Sequence, residues 1–191
     1  MEIILKNVPM YFENVYEPSV SKGAKAGTLP AYSARYAIEP GSANDKLINE
    51  TILKVATDKW GDKTASVLAK IIADKNSMYI EGEYKDKDGE TYEGFEGMFS
   101  IGTRSEKLKP RVSDKFNRVV ESGDPGAPYG GCVVHAAIDI WAQDNSYGRR
   151  INAVTQGVMF VADGTPVGGG RPASDSTFAG LAAEPSTEDF V

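Results

Sequence analysis

Trp141, Tyr147, Arg149 and Arg150 lie close together and combine flat aromatic surface with fixed positive charge. That pairing suits unpaired nucleic acid: each base can stack on a ring for about 1–3 kcal/mol while Lys and Arg follow the phosphates. Trp141 falls on the polar face of an alternating run, where an indole is exposed unless another element covers it. The competing role for Trp141 is a lid over the end of the fold. A second basic group runs from Ile101 to Val119, with Arg104, Lys107, Lys109, Arg111, Lys115 and Arg118 against Glu106 and Asp114. It reads either as an electrostatic track or as a solvated loop. Lys22, Lys25 and Arg35 are second-tier candidates for the same surface.

Other chemistries have little to build on. The chain has 1 His and 1 Cys, so His-rich metal sites and most His-dependent hydrolases are disfavoured and an internal disulfide is ruled out. His135 and Asp139 share a strand face and could pair, but an ordinary surface contact explains them as well. Cys132 sits in an apolar run and reads as a small buried side chain in a reducing compartment. No phosphate-binding Gly-rich loop and no dinucleotide fingerprint is present. Asp86-Lys87-Asp88-Gly89 lacks the further ligand positions of a calcium loop and reads as a hairpin turn. The expectation is a binding protein without catalytic residues, metal or cofactor.

The elements that must hold these residues follow from periodicity. Glu2 to Val8 is a short β-type run that Pro9 should end, and Tyr11 to Pro30 reads as a long loop. Tyr32 to Ile38 alternates and is a strand. From Ser42 to Trp60 the period changes, with Leu47, Ile48, Ile52, Val55, Ala56 and Trp60 at three- and four-residue steps, and Gly61 ends this helix. A second helix follows, with Val67, Leu68, Ile71 and Ile72 as its stripe. Met78 to Tyr84 and Thr91 to Thr103 are strand-like, and Tyr32, Tyr36, Phe95 and Phe99 are assigned to the core. Cys132 to Gln143 is the clearest strand, returned by Arg149 to Val161. Five or six strands with helices inserted after the second describe a mainly β fold, a small, mostly antiparallel barrel.

The formal charge is −6, from 21 basic and 27 acidic residues. Pro172 to Val191 holds Asp175, Glu184, Glu188 and Asp189 with no Lys or Arg, and Phe190 stands among its last residues. Its Pro, Ser, Ala and Gly content is that of a disordered, solvated acidic tail, and Gly168-Gly169-Gly170 is a joint before it. The expected organisation is a folded domain over 1–167 and a linker with tail over 168–191. Glu184, Glu188, Asp189 and Phe190 could meet a basic partner, or compete with a polyanion for the protein's own basic groove. No stretch approaches membrane-spanning length and nothing resembles a signal peptide, so a cytoplasmic protein is expected. The sequence leaves a homodimer open.

Several runs, in order, carry a family resemblance. Gly130-Gly131-Cys132-Val133-Val134-His135-Ala136-Ala137 leads to Trp141-Ala142-Gln143-Asp144-Asn145, and Val158 to Val161 leads through Asp163-Gly164 to Gly168-Gly169-Gly170-Arg171. Leu5-Lys6-Asn7-Val8, Tyr32-Ser33-Ala34 and Lys59-Trp60-Gly61-Asp62-Lys63 match in the same order. The chain resembles phage-encoded single-stranded DNA-binding proteins over nearly its whole length. That resemblance implies a five-stranded OB-fold barrel that coats single-stranded DNA in phage replication or recombination, in the host cytoplasm, with the tail contacting replication proteins. Two departures stand out: 81–97 is rich in acid for a DNA face, and the tail is sparse in charge. The rival functions are a structural or assembly phage component and an RNA- or oligosaccharide-binding barrel.

Overall fold

The computed structural model describes residues 1–20, 24 and 26–165. Among the described residues, seven strands form one sheet in the order β3-β4-β2-β1-β6-β7-β5. They are β1 Glu2–Ser19, β2 Ala31–Ile38, β3 Tyr79–Ile80, β4 Phe99–Ser105, β5 Arg111–Ser113, β6 Val133–Asn145 and β7 Gly148–Ala162. Helices α1 (Ala43–Trp60) and α2 (Thr64–Ala73), joined by a 3₁₀ turn, are inserted between β2 and β3. Five long strands make the barrel, as expected, and β3 and β5 are short additions at its two flanks. All ladders are antiparallel except β5 with β7.

The ladder does not close continuously. The segment just before β3 meets β7 where Ser77 forms a parallel bridge with Ile151, through Met78 N–H to Ile151 C=O at 2.9 Å and Ile151 N–H to Asn76 C=O at 3.1 Å. Inside, the Tyr36 hydroxyl lies 2.9 Å from Thr155 Oγ1, which lies 2.7 Å from Thr103 Oγ1. These three buried hydroxyls tie β2 and β4 to β7 across the core.

Pro9 does not end the first strand. Residues 2–9 pair with β6 and residues 10–19 pair with β2, so Pro9 falls where one ladder gives way to the other. Pro has no N–H to lose and is tolerated at such a break. Two residues with positive φ, Asn7 at 53° and Phe12 at 51°, sit at the register shifts of these ladders. The expected strands at Met78–Tyr84 and Thr91–Thr103 contract to β3 and β4. Residues 81–98 instead fold back as an irregular hairpin around the Asp86–Gly89 turn, with one bridge between Lys85 and Thr91.

The core follows the alternation of β6: Cys132, Val134, Ala136, Ile138 and Ile140 are fully buried. Ile48, Ile52 and Ala56 of α1, with Val67 and Ile71 of α2, pack on it. Ser42 caps α1 by accepting from Asp45 N–H, and the Asp45 carboxylate accepts from Gly41 N–H and from the Tyr79 hydroxyl at 2.7 Å. That last bond fixes the helix start to β3. Tyr36 and Phe95 are fully buried, while Tyr32 and Phe99 are half-buried. Cys132 Sγ accepts from Tyr129 N–H, and burial pushes its thiol up to about 11. Among the described residues no helix is long and apolar enough to cross a membrane.

Thr155→Val leaves the Tyr36 and Thr103 hydroxyls without their shared partner at nearly constant volume. The expected cost is about 1–3 kcal/mol, read as a lowered midpoint in thermal or urea unfolding with the fold retained.

Candidate nucleic-acid interface

The turn at residues 145–148 joins two long paired strands, so the side chains near it project beyond the barrel. Tyr147 is 83% exposed at its tip. Trp141 faces outward opposite Asn152 and is 37% exposed, so it is not a core lid. Arg149 Nε lies 3.1 Å from Asp144 Oδ2. The same oxygen accepts from the Trp60 indole N–H at 3.0 Å. The Trp60 hydrogen bond first, then Arg149, holds the Asp144 carboxyl below the usual carboxylate range. Trp60, the last residue of α1, therefore belongs to the hairpin's hydrogen-bond network. Arg150 stands opposite Gln143, and its guanidinium has no hydrogen bond or ion pair among the described residues.

The second basic group is spread along a different part of the sheet. Arg104, at the end of β4, bonds Glu106 at 2.7 Å and the Leu29 carbonyl at 2.8 Å. Lys109 is 3.7 Å from Glu121, and Lys115 lies over the Phe116 ring. Lys107 has no side-chain partner among the described residues. Arg111 of β5 holds the Asn117 side chain at 2.6 Å and the Asn117 carbonyl at 2.8 Å. The exposed ion pairs Arg104–Glu106 and Lys109–Glu121 are each worth about 0–1 kcal/mol, so a phosphate can displace them. Arg111 stands opposite Gly157 on β7, and the run from Arg150 to Gly157 is roughly 23 Å of strand. The hairpin and the basic segment are therefore two stations and not one patch.

Arg111 also borders an open groove of about 490 Å³ on the outer face of β1, β6, β7 and β5. Ile4, Ala137 and Met159 are among its apolar lining, and Lys6, which the sequence reading did not select, is part of it. His135 lines this groove too, but its Nδ1 accepts from Asn7 N–H at 3.1 Å. Asp139 meets the N-terminal amine instead of His135. The pair the strand face suggested is not formed. Lys22, Lys25, Glu184, Glu188, Asp189 and Phe190 lie outside the described residues.

Arg35 is not a free surface cation. Its guanidinium lies 3.8 Å from the centre of the Tyr84 ring and donates to Ser100 Oγ at 2.9 Å. Burial works against its charge, and the contact with Tyr84 works for it. Around this pair is an aromatic cluster that sequence reasoning missed: Tyr11, Phe12, Tyr84, Tyr92 and Phe95. The only signal for it was the recurrence of Tyr84, Tyr92 and Phe95 within an acidic segment. Among the described residues no group of three or more His, Cys, Asp or Glu side chains could hold a metal ion.

A family model described as "Enterobacter phage Enc34, ssDNA-binding protein" matches residues 1–191. Protein p50 of Acyrthosiphon pisum secondary endosymbiont phage 1 is 31% identical over 183 residues, 95% of this chain and 94% of that protein. Among solved structures, the single-stranded DNA-binding protein from bacteriophage Enc34 in complex with ssDNA is similar with a TM-score of 0.68 and 26% identity. That match covers 87% of this chain and 89% of the other. The gp2.5 single-stranded DNA-binding protein of bacteriophage T7 shares the fold, with a TM-score of 0.50 and 14% identity over 97% of this chain and 98% of that one.

Because its folded pKa lies below the usual value, Asp144 stays charged, and the hairpin network intact, until pH falls through that lowered pKa. Acid titration should change Trp60 fluorescence there, below the ordinary carboxylate range. Asp144→Asn should abolish the transition.

Proposed function

As this chain belongs to the Enc34 single-stranded DNA-binding protein family, we propose that it binds single-stranded DNA without sequence preference during phage DNA replication or recombination. The observation that carries this reading is the similarity, over most of both chains, to a family member solved in complex with ssDNA. Exposed aromatic rings beside unpaired or weakly paired cations supply the chemistry. Trp141 and Tyr147 offer stacking surfaces, and Arg149 and Arg150 reach the phosphates next to them. Arg104, Lys107, Lys109, Arg111 and Lys115 extend the track, with Lys22 and Lys25 as further phosphate ligands. Arg35 acts through its stack on Tyr84 and not as a free cation. The protein works without chemistry of its own, in the host cytoplasm. The acidic tail meets replication proteins through Glu184, Glu188, Asp189 and Phe190, and it competes with DNA for the same cations.

Gel-shift competition tests the reading. Labelled oligo-dT should be displaced by unlabelled single-stranded DNA and poorly by duplex or RNA. No retention of any nucleic acid returns the structural-component alternative. With four to six phosphate contacts, the log–log dependence of affinity on salt should have a slope of roughly −3 to −4. Trp141→Ala should lower affinity by about 1–3 kcal/mol while the thermal transition stays cooperative. Quenching by oligo-dT should be measured on a Trp60→Phe background, because Trp60 shares Asp144 with the hairpin. Removing residues 172–191 takes away four acids. Affinity should then rise, most at low salt where screening is weak.

A further inference from the structure

The outer face of β1, β2 and β4 carries a second aromatic surface, remote in sequence from the hairpin. At Phe12 the backbone adopts φ 51°, a left-handed conformation that is an outlier for a bulky side chain. The register of β1 on β2 shifts between Tyr11 and Asn14, so alternation fails at this bulge. Tyr11 and Phe12 therefore lie on the same side, with ring centres 4.9 Å and 6.2 Å from that of Phe95. Tyr11 is buried, whereas Phe12 is 45% exposed. Phe12 stands edge-on to Tyr92 at 5.0 Å and to Tyr84 at 5.8 Å, and Tyr84 stacks on Tyr92 at 5.2 Å. Tyr92 is also exposed. Gly94 and Gly102 make the arrangement possible: a Cβ on Gly94 would meet the Tyr11 hydroxyl, and one on Gly102 would meet the Arg35 guanidinium.

The charge around this surface is divided. The segment 81–98 carries seven acids against Lys85 and Lys87. Several of these acids are turned inward on the segment's own backbone: Glu83 accepts from Gly97 N–H, Glu96 from Gly94 N–H, and Asp86 from the N–H groups of Asp88 and Glu90. On the other side, Ser33 of β2 pairs with Asn14 of β1 and with Arg104 of β4. Arg104 is thus two strands from the bulge, about 10 Å away. The acidic side repels a phosphate and tolerates a neutral base, while the Arg104 side attracts the backbone.

We propose that Phe12 and Tyr92, backed by Tyr84 and Arg35, form a stacking platform for an unpaired nucleobase whose phosphates lie toward Arg104. The proposal rests on the reading of the protein as a single-stranded DNA binder and adds a station that hairpin residues do not reach. A base on this platform makes no ion pair with it. The platform therefore contributes to affinity without contributing to salt dependence, unlike Arg149 and Arg150.

Two variants of the full chain test this. Phe12→Asn suits the left-handed backbone, and Tyr92→Leu keeps apolar cover without the ring. Each should bind oligo-dT roughly tenfold more weakly, with an unchanged salt slope and a cooperative thermal transition. Photocrosslinking of wild-type protein to iodo-deoxyuridine oligonucleotides should label the peptides containing Phe12 or Tyr92. Affinities within twofold of wild type, or crosslinks confined to residues 141–150, overturn the platform and leave the single-stranded DNA reading standing. Failure of the wild type to bind oligo-dT overturns both.

Discussion

Residues 2–19 form one strand that pairs with β6 as far as Pro9 and with β2 from Met10, so a single stretch of backbone must belong to both halves of the barrel. A regular strand keeps its twist and its alternation and cannot serve two diverging partners over that length. The two left-handed residues relieve the conflict on either side of the exchange. At Asn7 the displaced N–H is recovered by His135, which gives the chain's one histidine a structural task. At Phe12 the displacement turns an aromatic ring outward. The barrel's bend and its most exposed internal-strand aromatic thus have the same origin.

The remaining architecture follows from where the two halves touch. The three hydroxyls of Tyr36, Thr103 and Thr155 and the backbone bonds from Asn76 and Met78 to Ile151 are polar links across the seam. Helix α1 reaches that seam from its first turn, through Asp45 and Tyr79. Its last residue, Trp60, reaches the β6–β7 hairpin through Asp144. Helix α1 is therefore bonded at both ends to the sheet, once beside the seam and once at the proposed binding surface.

Strong periodicity made much of this legible. The alternation of β6, the stripe of α1 and the placement of Trp141 on the polar face of its strand follow from spacing alone. The barrel class followed from strand count and the place of the helices. What stayed hidden depended on a few residues breaking a local rule. Pro9 stops a strand in most contexts, but here it sits where the ladder changes partner. The segment 81–98 alternates enough to look like strands, yet Phe95 is buried by packing against Tyr11 and not by a ladder. Arg35 looked like a surface cation because nothing in its neighbourhood of sequence announces Tyr84. The division of the cations into two stations is a matter of strand pairing, which a reading by sequence proximity cannot supply.

The buried thiol has a practical consequence. Cys132 is the chain's only cysteine, it is fully shielded, and it ionises well above neutral pH. In the native protein it should be inert to alkylating reagents, since attack needs an accessible thiolate. A cysteine introduced elsewhere on the surface would then be the sole labelling point for a fluorophore or spin probe. Any slow modification of Cys132 itself would report local opening of the barrel around it, a measure of breathing that needs no mutation.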